Sequence, residues 1–171
     1  MMWFEKFYWF ITSENYLVIS GRDAQQNEVI VKKYMRTGDI YIHADFHGAA
    51  STVIKNLHPQ QPVPQQSLDE AAIATICRSK AWDSKIITNA WWVYDHQVTK
   101  KAETGEFLPS GSFMIRGKKN FLYPNRLEMG ATMLFKIDPQ CYARHANDRR
   151  IRENDDIHIS RQSSSSITDL P

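Results

Sequence analysis

The stretch DIYIHADFHGAASTVIKN, residues 39–56, sets two β-rich runs on either side of a loop that carries two histidines, an aspartate and a glycine. Its ends, DIYIHA and STVIK, are rich in branched and aromatic residues and are bounded by turn formers, so both read as strands. The loop between them raises a chemical question. On an extended chain His43 and Asp45 point to one face. His47 joins them only if the strand continues, and Gly48 indicates that it has already turned. Three ligand-type residues with no distant partner make a weak metal site, so no metal is expected. The competing readings are a histidine bonded to a backbone carbonyl beside a turn-organising aspartate, or a loop facing an anion. Gly48-Ala49-Ala50 permits the close backbone approach that either arrangement needs.

Working outward, FYWFITSENYLVIS reads as a hairpin with a Ser-Glu-Asn turn. Gly21 follows it, and Asp23 is placed to cap a helix with Gln26 as its box partner. Ile30, Val31, Tyr34 and Met35 supply that helix with an apolar face, Lys32, Lys33 and Arg36 suit its C-terminal end, and Gly38 is expected to end it. NLHPQQPVPQQ is too rich in proline for regular structure. Ser67-Leu-Asp-Glu70 has the form of a capping box, opening a helix to about Lys85 with Ala72, Ile76 and Cys77 inward. AWWVYDHQVT, GSFMIRG and GATMLFKI read as further strands, with KKNFLYPN as a connection. From about Asp138 the pattern dissolves, and residues 153–171 form a polar, Ser-rich, disordered tail. About seven strands and two principal helices, without regular strand–helix alternation, predict one α+β domain over residues 1–152. Helices should cover one face of a largely antiparallel sheet.

Composition narrows the function. The net charge is only +2 over 171 residues, but the folded part through Ile137 holds 16 Lys/Arg against 13 Asp/Glu. Two cysteines define neither a disulfide framework nor a zinc pattern. No apolar run nears the ~20 residues a membrane helix needs, and the N-terminus lacks a signal-peptide layout. A cytoplasmic or nuclear protein is expected. No nucleophile elbow, HExxH or paired-carboxylate spacing is present, so neither catalysis nor a cofactor is expected.

Three stretches carry nucleic-acid chemistry instead. SGRDAQQNE sets Arg22 beside a Gly turn and a helix start, a geometry that holds phosphate, although Asp23 as a plain cap explains it equally well. In NAWWVYDHQVTKK, alternation puts Trp91, Val93 and Asp95 on one face and Trp92, Tyr94 and His96 on the other. An exposed face there would stack bases beside Lys100 and Lys101. In SFMIRGKKNF, the cations Arg116, Lys118 and Lys119 flank Gly117 between Phe113 and Phe121, forming a basic turn suited to a phosphate backbone.

The runs SENYLVISGRDAQQNEVIVKKYM, GDIYIHADFHGAASTVIKN, AWWVYDHQVTKKAETGEFLPSGSFMIRGKKNF and MGATMLFKID resemble, in order, the NFACT-R domain of the nuclear export mediator factor (Caliban) family, from about Trp3 to Arg152. The resemblance implies RNA binding within ribosome-associated quality control. Full-length members bind large ribosomal subunits carrying stalled peptidyl-tRNA, help recruit the Listerin ubiquitin ligase and support nascent-chain tailing, and eukaryotic members are linked to nuclear export. The family's N-terminal domain, helix-hairpin-helix, coiled coil and C-terminal domain have no counterpart in this sequence, which is expected to be an excised piece. The expected contacts with tRNA or ribosomal RNA are Arg22, His43, His47, Lys100, Lys101, Arg116, Lys118 and Lys119, with Trp92 or Tyr94 stacking. The alternatives are a protein-interaction scaffold and, less favoured, a metal-dependent RNA-processing enzyme built on His43, Asp45 and His47.

Overall fold

A computed structural model describes residues 2–46, 48–102, 105–106 and 108–146. The chain divides into two units, Met1–Ala131 and Thr132–Pro171. The first holds the fold. Its strands β1 (Tyr8–Ile11), β2 (Leu17–Ser20), β3 (Ile40–Ala44), β4 (Thr52–Lys55), β5 (Ala90–Tyr94) and β8 (Asn120–Leu122) form one sheet in the order β1-β2-β4-β3-β5-β8. Every neighbouring pair is antiparallel. A separate two-stranded ribbon joins β6 (Val98–Thr99) to β7 (Met114–Ile115). The architecture is α+β, as the sequence implies.

The central strands are apolar on both faces, because both faces are covered. On one side helix α2 (Gln65–Cys77) lays Leu68, Ala72 and Ile76 over Val18, Ile40, Ile42, Ile54 and Leu122. Burying each such aliphatic side chain contributes roughly 1.5–3 kcal/mol. On the other side Ile19, Tyr41, Val53, Trp91 and Val93 meet Phe7, Ile30 and the ribbon's Ile115. One helical face over the sheet was expected; the second cover is an aromatic N-terminus plus a short helix. That helix, α1 (Ala24–Val29), runs into a π-helical turn, Ile30–Tyr34, closed by Met35 N–H donating to the Ile30 carbonyl.

Local signals fared unevenly. Asp23 caps α1 as expected, accepting from Gln26 N–H at 2.7 Å, while the Gln26 side chain returns to Arg22 N–H. The Ser67–Glu70 capping box does not form. The helix starts three residues earlier, after Pro64, and Ser67 is buried and bonded to Thr12 and Glu14. Glu70 is turned away to hold Ser13. These bonds clamp the first hairpin's turn to α2, and a tertiary acceptor outcompetes the local one. The helix also stops short of Lys85. Ser79 caps a new one, α3 (Lys80–Ser84), by accepting from Ala81 N–H.

KKNFLYPN was expected to be a connection, yet Asn120–Leu122 pairs with β5 as the last strand of the sheet. GATMLFKI was expected to be a strand, yet residues 130–137 carry no strand, and Met133, Leu134 and Phe135 are exposed. In the second unit the described regular element is a 3-10 helix, Pro139–His145, capped by Asp138. The Ser-rich tail lies outside the described residues.

Candidate nucleic-acid interface

The loop between β3 and β4 answers the opening question in part. Hydrogen bonding at 2.7 Å joins His43 Nδ1 to the Ala44 carbonyl, which can only accept, so Nδ1 carries the proton. Burial lowers the His43 imidazole from its ordinary value, with backbone contacts at Ala44 and Ala49 opposing and the nearby Lys119 charge adding to the lowering. Its ring stacks on Trp91 at 5.6 Å, and Lys119 Nζ sits 4.2 Å from the Trp91 ring centroid. Among the described residues no three His, Cys, Asp or Glu side chains gather as a metal site requires. His47 lies outside the described residues.

The next strand out extends this patch. Phe121 pairs across from Trp91, and the Phe121 and Tyr123 rings stack at 6.4 Å, 45% and 73% exposed. The preceding turn is held from below by Gln97, whose side-chain amide donates to the carbonyls of Arg116 and Lys118. Gly117 takes φ +80° there, a conformation other residues resist. With the backbone pinned, Arg116 and Lys118 project into solvent while Lys119 turns back over Trp91.

A cleft of about 720 Å³ lies around the other half of the loop, lined by the Gly48-Ala49-Ala50 backbone, the Gly21–Ala24 turn and the α2–α3 junction. Arg22 and Arg78 both reach the ring of Tyr8, at 4.8 and 4.7 Å from its centroid. Arg78 also donates to Ser20 Oγ at 3.4 Å, and Arg22 to the Phe7 carbonyl at 3.4 Å. Ser20 Oγ is in turn 2.8 Å from Thr52 Oγ1, which is 2.8 Å from Thr75 Oγ1 on α2, so a buried row of hydroxyls fixes where Arg78 stands. Ala49 contacts His43 and lines the cleft, so the two halves share this loop.

Of the residues singled out in the sequence, Arg22 reaches the cleft, and His43 and Lys119 meet around Trp91. Arg116, Lys118 and Lys101 are exposed. Lys100 is not a surface cation: its ammonium is bonded to Glu28 at 2.7 Å and to the carbonyls of Pro109 and Ser112. Trp92 and Tyr94 share a face, as alternation requires, and continue into His96 at 5.7 Å. That face is the one α2 covers, not the face of Trp91. Trp91 is core, at 6% exposure. Sequence reasoning missed Tyr8, Arg78, Trp82 and Tyr123. The signal for Arg78 and Trp82 was Ser79, an N-cap type in the middle of a presumed helix.

These features define a class: an α+β domain built on a six-stranded antiparallel sheet, whose cations and exposed rings suit an anionic, stacking ligand. The chain belongs to the family of the NFACT protein RNA binding domain, whose pattern it matches over residues 6–117. It is 60% identical over 154 residues to the ribosome quality control complex subunit NEMF of Mus musculus, covering 90% of this chain and 14% of that protein. It is 39% identical over 133 residues to the archaeal Rqc2 homologue aRqcH of Methanocaldococcus jannaschii, covering 77% of this chain and 19% of that one. The chain thus spans about a seventh of the mouse relative's length. Among solved structures, the C-terminal part of the fibronectin/fibrinogen-binding protein from Streptococcus suis shares the fold, with a TM-score of 0.55 at 20% identity over 70% of this chain and 45% of that one.

Proposed function

We propose that this chain is the RNA-contacting module of a ribosome-associated quality control factor, holding tRNA or ribosomal RNA on the large ribosomal subunit. Its work is binding, not catalysis. The observation that carries the reading is the charge layout: Arg22 and Arg78 in one cleft and Arg116, Lys118 and Lys119 on one turn, in a chain of an RNA-binding family. Such cations supply affinity through phosphates and counter-ion release, while structured RNA is recognised by shape. His43 holds the shared loop, Lys100 anchors the ribbon, and Lys101 extends the basic strip. Action on stalled subunits, Listerin recruitment and nuclear export would belong to a full-length protein.

The test is tRNA binding against a matched DNA duplex across a salt series. We expect a tRNA preference, and we expect Arg116→Glu, Lys118→Glu and Lys119→Glu together to weaken binding at least about tenfold and flatten the log–log salt slope by about two. Unchanged affinity in the triple variant would remove this turn from the interface. The scaffold reading retains one observation of its own, the exposed run Met133, Leu134 and Phe135.

A further inference from the structure

The Arg22–Arg78 cleft brings two guanidiniums to one place in the fold. Two guanidiniums converge on one tyrosine ring, and among the described residues neither is paired with a carboxylate. Burial, and then the charge of Arg22, depress the Arg78 guanidinium from its ordinary value, although contacts with Tyr8 and Cys77 oppose this. A guanidinium does not lose its proton in a protein. An anion would relieve this convergence of like charges, and a planar fork suits phosphate oxygens. The remaining lining is of a different kind. Trp82 is 40% exposed at the cleft, and the carboxylates of Asp23 and Asp83 also line it. These carboxylates disfavour an acidic peptide but accept hydrogen bonds from hydroxyl and amino groups.

We infer that this cleft takes one unpaired nucleotide of an RNA, with its phosphate between Arg22 and Arg78 and its base against Trp82. An acid at one end and a flat ring with N–H donors at the other match both kinds of lining. The volume of about 720 Å³ has room for a nucleotide. Gly48, Ala49 and Ala50 line the cleft without large side chains. The inference rests on the RNA-binding reading above and adds a structural preference to it: the protein distinguishes a strand interruption from a continuous duplex.

Two RNA hairpins of equal length, one fully paired and one with a single-nucleotide bulge, separate the two claims. Anisotropy titrations of the 171-residue chain should show the bulged hairpin bound about tenfold more tightly, the scale of one base stacked on an aromatic ring. Trp82→Ala, at an exposed position, should abolish the preference by bringing the bulged hairpin's affinity down to that of the paired one. Arg78→Ala should also abolish the preference and, by removing a phosphate contact, should weaken both RNAs. Equal affinity for the two hairpins overturns the nucleotide cleft and leaves the general RNA reading standing. Failure to bind either removes both. A third arm uses free AMP: saturable binding lost in Trp82→Ala, without any preference for the bulge, would make this a free-nucleotide pocket and overturn the RNA assignment.

Discussion

Lys100 shows how one side chain's partners decide its role. Its aliphatic stem and charge are drawn in until the side chain is 15% exposed, with Glu28 on one side and two carbonyls on the other. Glu28 also takes Lys32 at 2.6 Å and the Gly111 N–H at 2.9 Å, so a single carboxylate ties α1 to the chain segment around residues 109–112. Removing Lys100 strips Glu28 of its more buried cation and leaves it Lys32 and the Gly111 N–H. Lys100→Ala is therefore expected to cost about 2–4 kcal/mol, whereas Lys118→Ala, on the open turn, should stay within about 0.5 kcal/mol. Urea midpoints measured side by side check this; equal midpoints would show that the Glu28 centre stabilises nothing. In sequence Lys100 and Lys101 are an indistinguishable pair of cations. Only the arrival of Glu28, 72 positions away, separates them.

At the scale of elements, close approach does the work. Gly111 adopts φ +78°, and a Cβ added there would lie 2.7 Å from Ala24 Cα and 2.8 Å from the Ala24 carbonyl oxygen. Both atoms are near or part of the backbone of α1 and cannot swing aside. Gly111→Ala should destabilise by about 2 kcal/mol or more, through the backbone conformation and the clash together. Gly105→Ala, with φ +85° but open space around it, should cost only the conformational share. A thermal-melt series ranks the two, and the reverse order would contradict the packing. The central strands β3 and β4 were legible because both of their faces are buried and their residues form continuous apolar runs. The α2 boundaries were not legible, since Ser67 obeys Thr12 and Glu14 across 55 and 53 positions. GATMLFKI has an apolar run that a strand could use, but such a run records only what a segment can do. A strand exists once another edge offers N–H and C=O groups, and sequence does not say which segment takes that edge. The site divides likewise: Arg22 and Lys119 were visible in local composition, while Arg78 needed the helix break.

For the whole molecule, two titrating centres set the response to acid. Burial lowers His43 below its ordinary 6.5, so as pH falls past that value the unfolded chain takes up a proton that the folded one resists, and stability declines. Burial raises Glu28, but hydrogen bonds from Lys100, Lys32 and Gly111 outweigh it and hold the carboxyl at about 2 against 4.5. Its contribution is complete above 4.5 and is lost as pH falls toward 2. Denaturant unfolding from pH 8 downward should therefore weaken in two stages, and His43→Gln should flatten the first while sparing the second. A profile level from pH 7 to 5 would show that His43 is not held neutral. Both stages act on the face of the sheet opposite α2, where β3 carries Tyr41 and His43 and the ribbon packs.

The interruption at Arg78 and Ser79 carries a constraint on how chain length can change. An α-helix turns about 100° for each residue it adds. The row Thr75, Thr52 and Ser20 fixes α2 from behind, and Ser79 restarts the chain one position after Arg78. One residue inserted between Thr75 and Arg78 would swing the guanidinium a quarter-turn or more off Ser20 and Tyr8, with no substitution at either. Indels should thus be purged from this junction as strictly as changes to Arg78 itself. At Gly105, by contrast, an added Cβ meets nothing within 4 Å, so an insertion there should cost no such contact.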